Sequence, residues 1–280
     1  MEEKLRIGIL GGGDIAWKAY FPMLVKWPGI EIRTVYSRTQ ETIDKIGNHF
    51  NIDPRTTSVD GVIDSGVQAA LVLTHTVSHY EICRHLLLSG VDVYVEKPAT
   101  TSSQKTKELA DLAKEHKRIF MVGFNRRFSL FYKQGKEIFG NRKLRMCVVE
   151  KHRPGTKPRD LFQTYLDDTI HQIDLLRFFC GEVNADYTGY TMEDSKLRSA
   201  VSIGATGSGG LAIVQTSRQA GMWQERVTLH GDDMTVEISA FRQLKVKYKD
   251  HEEVYGAERS GIWMPQLEER GFHGEVGHFF

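Results

Sequence analysis

The sequence predicts an α/β protein: a doubly wound parallel sheet first, then a region built on a mostly antiparallel sheet. Three observations predict it. Up to Phe124, strand-like and helix-like segments alternate regularly, as they do when helices cross between parallel strands. From Val183 to Tyr255, strands follow one another through short glycine or Asp-Asp turns, the pattern of an antiparallel sheet. Within the first of these regions, Val91–Pro98 reads as a buried β-branched strand that leaves its sheet on a charge pair, Glu96-Lys97, and a stiffening proline.

With 280 residues the chain has room for two domains or one large α/β domain. Its formal net charge of +1 gives no basic field for nucleic acid and no acidic tail. Cys83, Cys147 and Cys180 are scattered and odd in number, which argues against a disulfide framework and for a reducing compartment. Met1–Arg6 runs straight into a strand without a signal-peptide core, and no apolar run nears the roughly 20 residues of a membrane helix. A cytoplasmic protein with neither membrane nor nucleic-acid partners is expected. Gly277-His278-Phe279-Phe280 lacks a polar tail, so the natural chain is expected to run further.

Leu5–Leu10 is a short apolar strand that runs into Gly11-Gly12-Gly13-Asp14-Ile15-Ala16, where Gly11, Gly13 and Ala16 fit G-x-G-x-x-G/A. Gly11 makes the tight turn, Gly13 lets backbone N–H groups approach a pyrophosphate, and Ala16 lets the next helix pack on the strand. The helix N-terminus then meets the anion with its partial positive charge. A dinucleotide is expected against Gly11, Gly13, Asp14, Ile15 and Ala16. Ile30–Tyr36 is the second strand, and Ser37-Arg38 follows it where an NAD site usually carries an acid for the ribose 2′-hydroxyl. A hydroxyl and a guanidinium suit a 2′-phosphate, so NADP is favoured over NAD.

Thr39–Phe50 is a helix, Gln68–Leu73 a buried strand and Val77–Ser89 a helix stopped by Gly90. Ser102–His116 is a strongly patterned helix, and Arg118–Phe124 is the last strand of this half. His75 and His79 stand four apart, but no carboxylate or cysteine completes a zinc ligand set, so no metal is expected. His79 is expected instead to cap the sheet edge near the cofactor, with Thr74 beside it. Ligands bind at the carboxyl ends of strands in open α/β sheets, which makes Glu96 and Lys97 candidates; a surface ion pair accounts for them equally well.

After Phe124 a helix extends to Phe139, Lys143–Lys151 is a strand ending at His152-Arg153, and Pro154–Asp160 is a loop. In Gln163–Phe179, Leu166, Ile170, Ile173 and Leu176 form an apolar stripe of helical period, while Asp167, His171 and Asp174 share another narrow face. An aspartate one turn from a histidine holds the imidazole in one tautomer and raises its basicity. Histidine titrates near neutrality, as a reversible proton transfer needs. From the pattern alone, the solvated face of an amphipathic helix is the better account. Strands are expected at Ser199–Thr206, Gly209–Arg218, Glu225–His230, Thr235–Ser239 and Leu244–Tyr248. Such a sheet needs a cover for its apolar face, and a second subunit is a common one.

The run Gly-Gly-Gly-Asp-Ile-Ala-Trp-Lys-Ala-Tyr-Phe-Pro from Gly11, then Glu96-Lys97-Pro98, then Asp167-Asp-Thr-Ile-His171-Gln-Ile-Asp174 resemble the Gfo/Idh/MocA family of NAD(P)-dependent oxidoreductases, over essentially the whole chain. Met121–Phe128, Lys151-His152-Arg153 and Leu267–Phe272 look most like its MviM-type branch. The resemblance implies an N-terminal Rossmann domain, residues 1–124, that binds NADP or NAD. It implies a C-terminal α/β domain, residues 125–280, whose open, mostly antiparallel sheet takes substrate and carries a homodimer or homotetramer interface. Lys97 of the E-K-P motif would polarise the reacting oxygen, His171 would act as acid/base on a secondary hydroxyl or ketone, and Asp167 would tune His171. This reverses the solvated-face and ion-pair accounts above.

Thr74, His79 and Glu96 would join the cofactor-lining set, and Asn125, Arg127, Arg153 and Asp174, with His152, would line the pocket of a small polar substrate. The implied substrate is a sugar, cyclitol or related molecule. The alternative is a regulatory or sensor protein that keeps the cofactor site without turnover. Against it stands the joint presence of Lys97, Asp167 and His171.

Overall fold

The computed structural model of the chain describes residues 3–155, 159–256 and 266–280, so the loop expected at 154–160 lies partly outside the described residues. The chain falls into two compact units, Met1–Gly123 with Glu275–Phe280, and Phe124–Gly274. The last stretch, Glu275–Phe280, thus belongs with the first unit.

In the first unit six strands are parallel: β1 (Leu5–Leu10), β2 (Ile30–Tyr36), β3 (Arg55–Thr56), β4 (Ala69–Val72), β5 (Asp92–Glu96) and β6 (Phe120–Gly123). Their order is β3-β2-β1-β4-β5-β6. The order reverses between β1 and β4, the point at which an open α/β sheet offers a crevice beyond its carboxyl ends. Ile7, Ile9, Leu71, Val93 and Val95 are fully buried, as central parallel strands require. Side-chain caps start the helices: Thr39, Ser58 and Ser102 accept from the backbone N–H of Thr42, Gly61 and Lys105. The helix after the glycine run is irregular, with Ala16–Tyr20 winding as a π turn before Phe21–Leu24. At the chain's end, Phe279 packs on Tyr94 and Phe280 on Trp27, with ring centroids 5.7 and 5.6 Å apart.

The second unit carries an eight-stranded sheet of β7 (Leu144–His152), β8 (Val183–Glu193), β9 (Lys196–Thr206), β10 (Leu211–Ser217), β11 (Gln224–Gly231), β12 (Met234–Ser239), β13 (Gln243–Lys247) and β14 (Glu252–Gly256). The order is β14-β13-β12-β11-β7-β10-β9-β8, and every pair is antiparallel except β7 with β10. The helices Leu130–Phe139 and Ile170–Cys180 cover one face, where Cys147, Val149, Val227, Leu229, Val236 and Ile238 form the core with Leu175. Gly135 permits the close approach, because a Cβ there would lie 2.7 Å from Ile238 Cδ1. No helix among the described residues is long and apolar enough to cross a membrane.

Candidate active site

Gly11 ends β1 at φ +117°, and a Cβ on it would lie 2.6 Å from the Leu73 carbonyl, so this turn requires glycine. Its N–H donates to the Tyr36 carbonyl at 2.9 Å and ties the turn to β2. At Gly13 a Cβ would meet nothing within 4 Å. The space beyond is a cleft of about 530 Å³ whose lining includes Gly11, Gly13, Asp14, Ile15, Ser37, Arg38 and Thr74. Ala16 is fully buried where the helix packs on the sheet. Asp14 pairs with Lys18 at 3.0 Å across two well-exposed side chains, a contact worth little. The glycine turn, the open face at Gly13, the helix start and the Ser37-Arg38 edge together fit a dinucleotide with its pyrophosphate at the turn.

His79 lies beneath this cleft, buried, with Nδ1 3.0 Å from the Pro98 carbonyl and Nε2 2.9 Å from the Thr74 carbonyl. It ties the loop after β4 to the loop after β5. Burial lowers its pKa, against the pull of the two carbonyls.

Glu96 turns into the protein. Its Oε2 accepts from the Lys97 N–H at 2.9 Å, and its Oε1 accepts from the Tyr20 hydroxyl at 2.7 Å. Tyr20 and Tyr94 hydroxyls are 2.7 Å apart, and Tyr94 reaches Glu275 Oε1 at 2.5 Å. Each phenol donates to a carboxylate, Tyr20 to Glu96 and Tyr94 to Glu275. Burial first, and the nearby carboxylates next, keep both phenols well above their ordinary pKa. Glu96 thereby fixes the backbone at Lys97, which stands half-buried just past β5.

In the second unit one continuous helical run holds Leu161–Thr164, a π turn at Tyr165–Thr169 and the α-helix Ile170–Cys180. The wider turn shifts the two aspartates around the axis relative to a regular helix. Asp167, half-exposed, pairs with Arg159. Asp168 is buried and takes Arg153 in a bidentate pair at 2.7 and 2.6 Å, with Lys151 Nζ at 2.9 Å and Arg218 on the same carboxylate. Asp174 and Arg127 form their own bidentate pair. Burial raises the Asp174 carboxyl, with Arg127 working against it.

His171 is buried, and Arg126 Nη1 lies 3.1 Å from its Nε2. Arg126 also donates to Glu225 at 3.3 and 3.0 Å and to Asn125 Oδ1 at 3.0 Å. Asn125 is buried too, its Nδ2 donating to the Arg270 carbonyl at 2.8 Å. Lys151 stands opposite Glu225 in the β7–β11 register, with Nζ 3.0 Å from Glu225 Oε1. Burial opposes the ionised Glu225 carboxyl, but Arg126 and Lys151 outweigh it and bring it down to about 2. Asp168 is likewise held well below the ordinary carboxylate range by Arg153 and Lys151, against its burial.

Most of the other expected site residues fall into three groups. Gly11, Gly13, Asp14, Ile15, Ser37, Arg38 and Thr74 share one cleft. Glu96 and His79 support its neighbourhood from inside. Asn125, Arg127, Arg153 and Asp174 are each engaged by a protein partner within the second unit. Arg126, Lys151, Asp168, Arg218 and Glu225 are absent from the expected set. The period-two phase that buries Cys147 and Val149 also buries Lys151, and the phase that buries Val227 and Leu229 also buries Glu225. That phase is the signal by which the sequence marks Lys151 and Glu225.

A family model described as "Oxidoreductase family, NAD-binding Rossmann fold" matches residues 5–124. The chain is 31% identical over 280 residues to YceM of Salmonella typhimurium, covering 98% of this chain and 88% of that one. It is 23% identical over 260 residues to an inositol 2-dehydrogenase of Rhizobium meliloti, covering 87% of this chain and 78% of that one. Among solved structures it is similar to the dehydrogenase MviM of Clostridium difficile, with a TM-score of 0.89 and 26% identity over 99% of this chain and 90% of that one.

Proposed function

Because the chain belongs to the Gfo/Idh/MocA family of oxidoreductases, we propose that it is a dehydrogenase or reductase of a secondary alcohol or ketone in a sugar, cyclitol or related small polar molecule. The observation that carries this is the glycine turn at the β1/β4 reversal, opening on a cleft edged by Ser37 and Arg38. The relative named as an inositol 2-dehydrogenase supports the substrate class.

When bound, the nicotinamide of NAD(P) supplies or accepts the hydride. Gly11, Gly13, Asp14, Ile15 and Thr74 hold the dinucleotide, and Arg38 with Ser37 favours a 2′-phosphate and hence NADP. Lys97 donates to the substrate oxygen at which negative charge develops. His171 takes up or returns that oxygen's proton, and Asp167 tunes it. A guanidinium donates only, so Nε2 of His171 accepts from Arg126 and proton uptake there requires that hydrogen bond to give way. The outer face of the second unit's sheet, with Tyr187 and Leu211 exposed, carries the contact of a homodimer or homotetramer. The cytoplasm suits the three free thiols.

A panel of polyols and ketosugars, followed by absorbance at the nicotinamide band with NADP and NAD, tests the proposal. Turnover of at least one member is expected. Silence across the panel with tight cofactor binding would instead mark a cofactor sensor.

A further inference from the structure

Resting on that reading, we infer that the substrate carries a carboxylate or phosphate and that Arg153 receives it. The observation is a charge imbalance in the second unit. Asp168 and Glu225 are the carboxylates at the centre of the buried network, and Arg126, Lys151 and Arg153 share them at 2.6 to 3.3 Å. Leaving aside Arg218, which also contacts Asp168, three cations already serve two carboxylates.

Among the described residues the neighbouring charged groups do not redress this. Asp167 is taken by Arg159 and Asp174 by Arg127. Glu150 alternates with Lys151 along β7 and so faces the other side of the sheet, where it meets Gln215 and His152. Lys151 Nζ has three acceptors, namely Asp168 Oδ1, the Asp168 carbonyl and Glu225 Oε1, which is the coordination of a full ammonium. A surplus of buried positive charge is costly unless an anion answers it.

Arg153 is the member placed to meet that anion. Lys151 is 1% exposed and Arg126 13%, but the Arg153 side chain is 32% exposed. Its Nε and Nη2 are fixed on Asp168, which leaves Nη1 with no hydrogen bond among the described residues. A guanidinium held on one edge and open on the other suits a planar carboxylate or a phosphate. An unbroken chain of contacts joins this edge to the proposed acid/base group, from Arg153 through Asp168, Lys151, Glu225 and Arg126 to His171. A substrate anion at Arg153 therefore completes the charge of the network that positions His171.

The test compares matched substrates: a hexose with its uronic acid and 6-phosphate, and a cyclitol with its phosphate. The expected kcat/KM is about tenfold or more higher for the anionic members, falling as salt is raised. Arg153→Met is expected to erase that preference through KM. Since losing Arg153 could unfold the network, inorganic phosphate is also titrated into wild-type protein with cofactor bound. Saturable thermal protection is expected, absent with chloride at equal ionic strength and restored in part in Arg153→Lys relative to Arg153→Met. Turnover of neutral members as good as that of their anionic partners overturns the inference and leaves the dehydrogenase reading standing. No turnover of any member overturns that reading, and a lack of phosphate protection then overturns this inference as well.

Discussion

Arg126 Nη1 sits 3.1 Å from His171 Nε2, and because a guanidinium has no lone pair, the imidazole accepts. His171 is thus neutral and carries its proton on Nδ1. Nitrogen NMR shifts of the resting protein at neutral pH are expected to show that single tautomer. A doubly protonated ring, or a proton on Nε2, would contradict it.

Gly11 and Gly13 should respond in opposite ways to alanine. Gly11→Ala places a Cβ against the Leu73 backbone at a positive φ, and a loss of about 2 kcal/mol or more is expected in chemical denaturation. Gly13→Ala meets nothing within 4 Å, so stability should stay within about 0.5 kcal/mol while cofactor affinity falls. Unchanged cofactor binding in Gly13→Ala would place the pyrophosphate elsewhere.

Arg38 edges the same cleft beside Ser37. Fluorescence titration of Arg38→Ala should show NADPH binding about tenfold or more weaker, with NADH little changed. An equal effect on both would remove the basis for preferring NADP.

Acid stability should report Glu225. Its folded carboxyl is held at about 2 by Arg126 and Lys151 in spite of burial, below the ~4.3 of an unfolded glutamate. A depressed folded value means the contribution is whole above about pH 4.3 and is lost as pH falls toward 2. It amounts to roughly 3 kcal/mol. Glu225→Gln should flatten that window of the stability profile as well as lower stability at neutral pH, because two cations are left under-paired. A profile unaltered between pH 4.3 and 2 would show that Glu225 is not so held.

Much of this was legible in the chain, and the gaps have physical causes. The first unit's alternation, the glycine turn and the Ser37-Arg38 edge are local features, set by backbone requirements and apolar runs, and they stand where the sequence puts them. The edge strand Val183–Glu193 escaped because nearly all of its side chains are exposed, so it lacks the alternation of a half-buried strand. The β7–β10 pair is parallel because the chain between them crosses the sheet, which period-two patterning cannot reveal. The helical face uniting Asp167, His171 and Asp174 assumed a regular helix. The π turn at Tyr165–Thr169 instead sends Asp168 inward to Lys151 and Arg153. Glu96 reads as a cleft residue by position, yet its carboxylate accepts from Tyr20, and the cluster runs on through Tyr94 of the same strand to Glu275 near the chain's end, so no local pattern announces it.

The central claim is that Lys97 and His171 act on one substrate oxygen in one step, and a double-mutant cycle on kcat tests it most directly. Lys97→Met and His171→Ala should each lower kcat by about 10² or more while cofactor still binds. The double variant should lose far less than the product of the two, as groups acting as a unit do. Fully multiplicative losses, or wild-type turnover in either single variant, would contradict the account.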